Sequence, residues 1–337
     1  MLRRVGLAAT AAIGVLVLAG CTGNQSQDDL QAAPTLVPAT PAVSPPPAAN
    51  TAGTVVHLPG AATAVAVDPL SRTVAVAVRE PDQVELLSLD DVGGKPVVVP
   101  MPGAVSHLTY ARPGGPLLAP VAAANQLLEI GVLHGAVTRA VPVPGGPTSA
   151  ALFQGRILVA VPARHAIDEV VGSKVTRTIT GQVNPEQVLV AGGRTVMLDQ
   201  IRSAVFDVNA VDGTVGAGLR AGQGATNAAV DRFGRVLVTD TRTGQLIVFS
   251  AGPVLERQAA PVPGVPYGIA VDTSRDIAWV TATKLNQVIG YQLTGSQPVR
   301  KYRLATVRQP DSVAVDPASG RVFVASADGG GVQVMQP

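Results

Sequence analysis

Cysteine is almost absent from this chain: Cys21 is the only one among 337 residues. No internal disulfide is available, so stability has to come from a packed core and from the way the fold closes. Charge of neither sign dominates, with 25 Lys and Arg against 23 Asp and Glu. There is no Lys/Arg run and no row of aromatic residues, which excludes the usual footprint of a nucleic-acid binder. Aromatics make up 3% of the residues, and the single tryptophan, Trp279, is expected in the core. Long helical patterns are missing too, because Gly, Pro and Asp break the apolar runs every ten residues or so. His57, His107, His134 and His165 lack metal-site spacing such as HExxH, and neither a GxSxG elbow nor a P-loop occurs. Gly329–Gly331 precedes a strand-type run rather than a helix, so it is no phosphate cradle.

What the chain does have is repetition. One phrase of about 40 residues returns seven times. Clear copies read GIAVDTSRDIAWVTATKLNQVIGYQL from Gly268 and SVAVDPASGRVFVASADGGGVQVM from Ser312. The turn between the first two strands of each copy falls at Arg72, Gly115, Arg156, Arg194, Arg235, Arg275 and Arg321, at spacings of 38 to 46 residues. Short β-type runs at this period mark propeller blades. Within a copy the first run is short and apolar (Ile269–Asp272) and the second is β-branched (Arg321–Ser326). The third alternates (Gln287–Leu293) and the fourth is polar (Val299–Leu304), a gradient that fits burial falling from hub to rim.

The seventh copy ends on a third strand, Gly331–Met335, while the domain starts with a stray fourth-type strand, Thr54–Leu58. Pairing the two joins the ends of the ring and removes an exposed edge. The expected fold is all-β: a seven-bladed β-propeller over residues 53–337, closed by an N-terminal strand that completes the last blade. Four Asp of the repeat, Asp68, Asp231, Asp272 and Asp316, precede tight turns and are read as caps of backbone N–H groups.

The wording of the copies resembles the YVTN-type family of bacterial seven-bladed propellers. The pieces that carry the resemblance are AVD-P at Ala66–Pro69 and Ala314–Pro317, the VLVTDT and AWVTAT strands, and the NQVIGY and GQLIVF strands. The literal YVTN string is absent. The resemblance implies a propeller fold and a surface or periplasmic location, and no single activity.

Residues 1–20 read as a targeting segment. Arg3 and Arg4 open it, and Val5–Leu18 is apolar but too short and too rich in Ala and Gly for a membrane span. Leu18-Ala19-Gly20-Cys21 resembles the bacterial lipoprotein box, which implies cleavage before Cys21 and lipidation of its sulfur. Multiple acyl chains there, palmitate among them, would hold the protein stably to a membrane. Removal of the segment takes away two Arg and no acid, which leaves 23 basic and 23 acidic residues. Residues 21–52 then form a linker dominated by Pro, Ala and Thr, with no apolar period, expected to be disordered. A flexible coil of that length spans roughly 30 Å, and polyproline about 95 Å.

Loops entering the first strands share one face with loops between the second and third strands, around the central channel. Aligning the copies places Thr63, Ser106, Thr148, Glu186, Thr226, Tyr267 and Asp311 at that mouth, followed by Ala64, His107, Ser149, Gln187, Asn227, Gly268 and Ser312. The second ring breaks the repeat with His, Gln and Asn. Candidate ligand-binding residues are therefore His107, Glu186, Asn227, Tyr267 and Asp311. No cofactor and no metal are expected, and the protein is expected to be monomeric. The functional expectation is a lipid-anchored, extracytoplasmic propeller that binds a protein or envelope glycan on its channel face. The alternative is a metal-dependent hydrolase of the propeller-lactonase type, with Glu186, Asn227 and Asp311 as oxygen donors. The resemblance to such lactonases is in donor type only.

Overall fold

The computed structural model describes residues 35–47, 51–181 and 183–337. The targeting segment and Cys21 lie outside the described residues. Seven four-stranded antiparallel sheets form a seven-bladed propeller. Blade one runs through Ala61–Asp68, Thr73–Arg79, Gln83–Ser88 and Val97–Pro100, and blade six through Pro266–Asp272, Ile277–Ala282, Gln287–Gln292 and Val299–Ala305. The first strands of all seven blades touch their neighbours in a closed circuit around the axis. Among the described residues helix is confined to two single 3-10 turns, Pro162–Arg164 and Thr283–Leu285.

The core is divided as the period-2 alternation of each strand requires. Seven apolar clusters occur, one at each blade interface. In blade two, Leu117 packs toward blade one and Leu118 toward blade three. Both faces of a second strand are thus covered, and Val74, Ala75, Val76 and Ala77 are all fully buried. Fourth strands lie on the rim and are largely exposed, as in Ala136–Pro142 and Val299–Ala305. Trp279 belongs to the cluster between blades six and seven and stacks on Tyr302 at 5.3 Å.

The ring closes as the sequence predicts. Thr54–Val56 is the fourth strand of blade seven, with Thr54 opposite Val334 and Val56 opposite Val332. Two glycines make this seam possible. At Gly53 and Gly331 φ is +71° and +82°, and a Cβ would sit 2.0 Å from the Val334 carbonyl oxygen and 2.2 Å from that of Val56. Only a residue without a Cβ accepts both the left-handed backbone and the close approach. The fully buried Gln333 then ties blade six to the seam. Its amide nitrogen donates to the carbonyls of Ala52 and Ala305, and its oxygen accepts from the Val307 N–H at 2.7 Å.

The four repeat Asp cap their turns. Asp231 accepts from the N–H groups of Phe233 and Arg235, at 2.9 and 2.8 Å, and Asp272 from those of Ser274 and Arg275, both at 3.0 Å. Asp68 and Asp316 do the same for Ser71 and Ala318.

Over part of its range one expectation is corrected. The linker over 21–52 is expected to be disordered, yet its residues 35–47 lie against the channel face, while residues 21–34 and 48–50 lie outside the described residues. The Leu36 N–H donates to the Ile201 carbonyl at 2.7 Å in blade four, and the Ser44 hydroxyl donates to the Thr283 carbonyl at 2.6 Å in blade six. Composition predicts that a segment cannot build a core of its own. It does not predict whether another surface supplies the missing hydrogen-bond partners.

Candidate functional site

The central channel opens into a cavity of about 580 Å³ on the face that carries the loops into the first strands. His107, Glu186, Asn227, Tyr267 and Asp311, predicted from five different blades, all line it. Thr63, Ser106, Gln187, Gly268 and Ser312 line it as well. Thr148, Ser149 and Thr226 do not, because they turn into the blade interfaces: Ser149 and Thr226 are buried, and the Thr148 hydroxyl donates to the Glu186 carbonyl at 2.7 Å.

The polar residues that break the repeat have a common structural task. Each reaches across to the backbone of the next blade. Thr63 donates to the Val105 carbonyl at 2.6 Å, from blade one to blade two. Nδ1 of His107 lies 3.2 Å from the Thr148 carbonyl, and since a carbonyl only accepts, Nδ1 carries the proton. Gln187 bonds Ala228, and Nδ2 of Asn227 donates to the Tyr267 carbonyl at 3.2 Å. Ser312 accepts from the Val65 N–H at 3.1 Å and so joins blade seven to blade one. Between blades six and seven the place is taken by Gly268, where a Cβ would lie 2.6 Å from the Asp311 carbonyl oxygen. His107 and Asn227, chosen from the sequence as ligand-binding residues, are therefore clasps between blades that also face the cavity.

Glu186, Tyr267 and Asp311 are different. Their side chains make no such bond to a neighbouring blade's backbone. The Glu186 carboxyl has no hydrogen-bond partner among the described residues, and burial pushes it up to about 7. Asp311 is pushed up to about 6, chiefly by burial, against the opposing effect of hydrogen bonds from Gln309 and Thr283. Burial and the charges of Asp311 and Glu186 raise the Tyr267 hydroxyl to about 12. His107 is held below its usual range by burial, partly offset by its bonds to Thr148 and Asn227, so its ring is neutral at pH 7. The mouth is thus a polar cup in which burial raises two carboxyls toward neutrality. Such a cup can donate to or accept from hydroxyls and amides.

Other acidic residues near the mouth are engaged within the protein. Asp199 and Asp240, which end second strands on the same side, are fully buried and cap loops there. Asp199 accepts from the N–H groups of Asn184 and Arg202, both at 2.8 Å. Conversely Arg79, Gln200 and Gln309 line the cavity and were not selected from the sequence. Gln309 lies two residues before Asp311, while Arg79 ends the second strand of blade one and Gln200 follows that of blade four, so the alignment of the first-strand entries carries no signal for them. Among the described residues no group of three or more His, Cys, Asp or Glu side chains is placed to hold a metal ion. None of them forms a helix long and apolar enough to cross a membrane.

No protein-family model matches the sequence, and no curated protein matches it. Solved structures do match in fold. A chain of hydrazine synthase from Kuenenia stuttgartiensis superposes with a TM-score of 0.71 at 14% identity, over 84% of this chain and 97% of that one. A chain of the mitotic checkpoint complex gives 0.74 at 12% identity, over 90% and 97%. Virginiamycin B lyase from Staphylococcus aureus gives 0.68 at 12% identity, over 83% and 97%. The neighbours range from enzymes to a component of a protein assembly, so the likeness establishes the seven-bladed propeller and leaves the activity to the site itself.

Proposed function

We propose that this chain is a lipid-anchored, extracytoplasmic propeller that works by binding, with a protein or envelope glycan held at the mouth of its channel. The observation that carries this reading is the division of labour in the cavity. His107, Gln187 and Asn227 are spent on holding blades together. Glu186, Tyr267 and Asp311 project polar groups into the same space without a comparable structural bond. The resemblance of Leu18–Cys21 to a lipoprotein box supplies the anchor. With residues 35–47 docked, only residues 22–34 separate Cys21 from the propeller, at most about 45 Å of extended chain. The anchor would then hold the channel mouth near the bilayer rather than lift it far away.

Two experiments test this. Cys21→Ala should move the protein from the membrane to the soluble fraction, and full retention in the membrane would rule out the lipid as sole anchor. A photoreactive group at the exposed Ser106, crosslinked in the native envelope, should capture a partner. The triple variant Glu186→Gln, Tyr267→Phe, Asp311→Asn, which keeps the blade clasps, should lose that capture. Unchanged capture would place the partner on another face.

A further inference from the structure

Residues 35–47, TLVPATPAVSPPP, contain five prolines, which offer carbonyl oxygens and no N–H. The rim of the channel face meets this chemistry with side-chain donors from three blades. The Arg242 guanidinium donates to the Val37 carbonyl and Gln309 Nε2 to that of Ala42 at 2.9 Å. Arg308 Nε donates to Ser44 O at 3.4 Å, and Asn286 Nδ2 to Pro45 O at 2.8 Å. Between them lies a socket for one residue. Ser44 is 4% exposed. Its hydroxyl donates to the Thr283 carbonyl and accepts from the Gln309 N–H at 3.1 Å, and its N–H donates to Gln309 Oε1 at 3.1 Å. Every polar atom of Ser44 is read. Gln309, which reads Ser44, and Asn286, which reads the carbonyls of Pro45 and Pro46, both hold the left-handed backbone, at φ 50° and 49°. That conformation is costly for Gln and persists where surroundings over-determine it.

Side chains that satisfy consecutive carbonyls, with a pocket for one chosen residue, are the chemistry of proline-rich peptide recognition. We infer that the channel-face rim across blades five to seven is a recognition groove for proline-rich segments carrying Ser-Pro-Pro, filled in cis by residues 35–47. The same groove takes such a segment from a partner protein once the resident one is unseated. It is distinct from the channel cavity, and Gln309 alone belongs to both, through its bond to Asp311. In cis the resident segment competes at millimolar effective concentration, as a short tether provides, so an incoming peptide is refused until Ser44 leaves its socket.

The test uses the full chain in detergent and a fluorescent synthetic peptide of sequence TLVPATPAVSPPP. Ser44→Trp overfills the socket and unseats the resident segment without touching the propeller, which an unchanged melting profile checks. The peptide should bind this variant at least tenfold more tightly than it binds the unaltered chain. A peptide with Trp at the serine position should bind the variant at least tenfold more weakly. Adding Asn286→Ala to Ser44→Trp should weaken peptide binding similarly. A folded Ser44→Trp chain with no saturable binding would overturn the inference. So would equal binding to the two chains, or indifference to the serine.

Discussion

Gln187 grips the backbone of Ala228 at two points, donating from Nε2 to its carbonyl at 2.9 Å and accepting from its N–H at 2.9 Å. The two residues belong to the first strands of blades four and five, next to the channel wall. A side chain that stands in for a ladder partner in this way stitches sheets that have no strand pairing between them.

Replacing Gln187 with Ala should therefore weaken the whole ring. It removes two hydrogen bonds and leaves an inward-facing amide and carbonyl to water in the channel. A cost of about 1–3 kcal/mol is expected, read as a lower melting temperature in a single transition. Ser106→Ala, an exposed neighbour on the same mouth, should change nothing. Equal melting of the two variants would show that the clasp contributes no stability.

Glu186 makes stability depend on pH. Its folded pKa, about 7, lies above the ordinary value of 4.5. Between those values the folded protein holds a proton that the unfolded chain has released, so stability falls as pH rises through the window. Glu186→Gln should be more stable than the unaltered protein at pH 8, with the difference gone by pH 4. Melting curves at both pH values check this. A pH-independent difference would mean that the Glu186 carboxyl is not desolvated.

The closing seam is the most sensitive place in the fold. Gly331→Val puts a branched Cβ against the Val56 carbonyl at a left-handed position. The Thr54–Val56 strand can then not seat, and Val332 and Phe323 lose part of their cover. Val55 and Val56 each contribute roughly 1.5–3 kcal/mol if fully buried, and both are partly so. Deletion of residues 54–56 should give the same loss. An unchanged melting temperature in both variants would refute closure by this strand.

The turn aspartates should separate stability from binding. Asp231→Ala and Asp272→Ala each strip two backbone N–H groups of their acceptor and leave Arg235 or Arg275 without its ion pair. Losses of about 1–3 kcal/mol are expected, with capture of a partner by the folded fraction unchanged. Loss of capture at full stability would move the binding face to the turn side.

The sequence by itself determined the fold, because a propeller is written locally. Each blade repeats the same four runs, and alternation within a run decides which residue faces which neighbour, as Leu117 and Leu118 show. Even closure was legible, since a missing last strand and a stray first one are both local facts. The mouth residues were legible as positions and not as roles. Whether an inward Gln, His or Asn meets water or the next backbone depends on distances across an interface between residues some 40 apart, as in Gln187 and Ala228. Only the assembled ring sets those distances, and it turned two of the five candidate ligands into clasps. The docked segment was least legible of all. Its composition describes a chain that buries little of itself. The partners that hold it, Arg242, Asn286 and Gln309, come from three different blades and converge on one rim only when the propeller is complete.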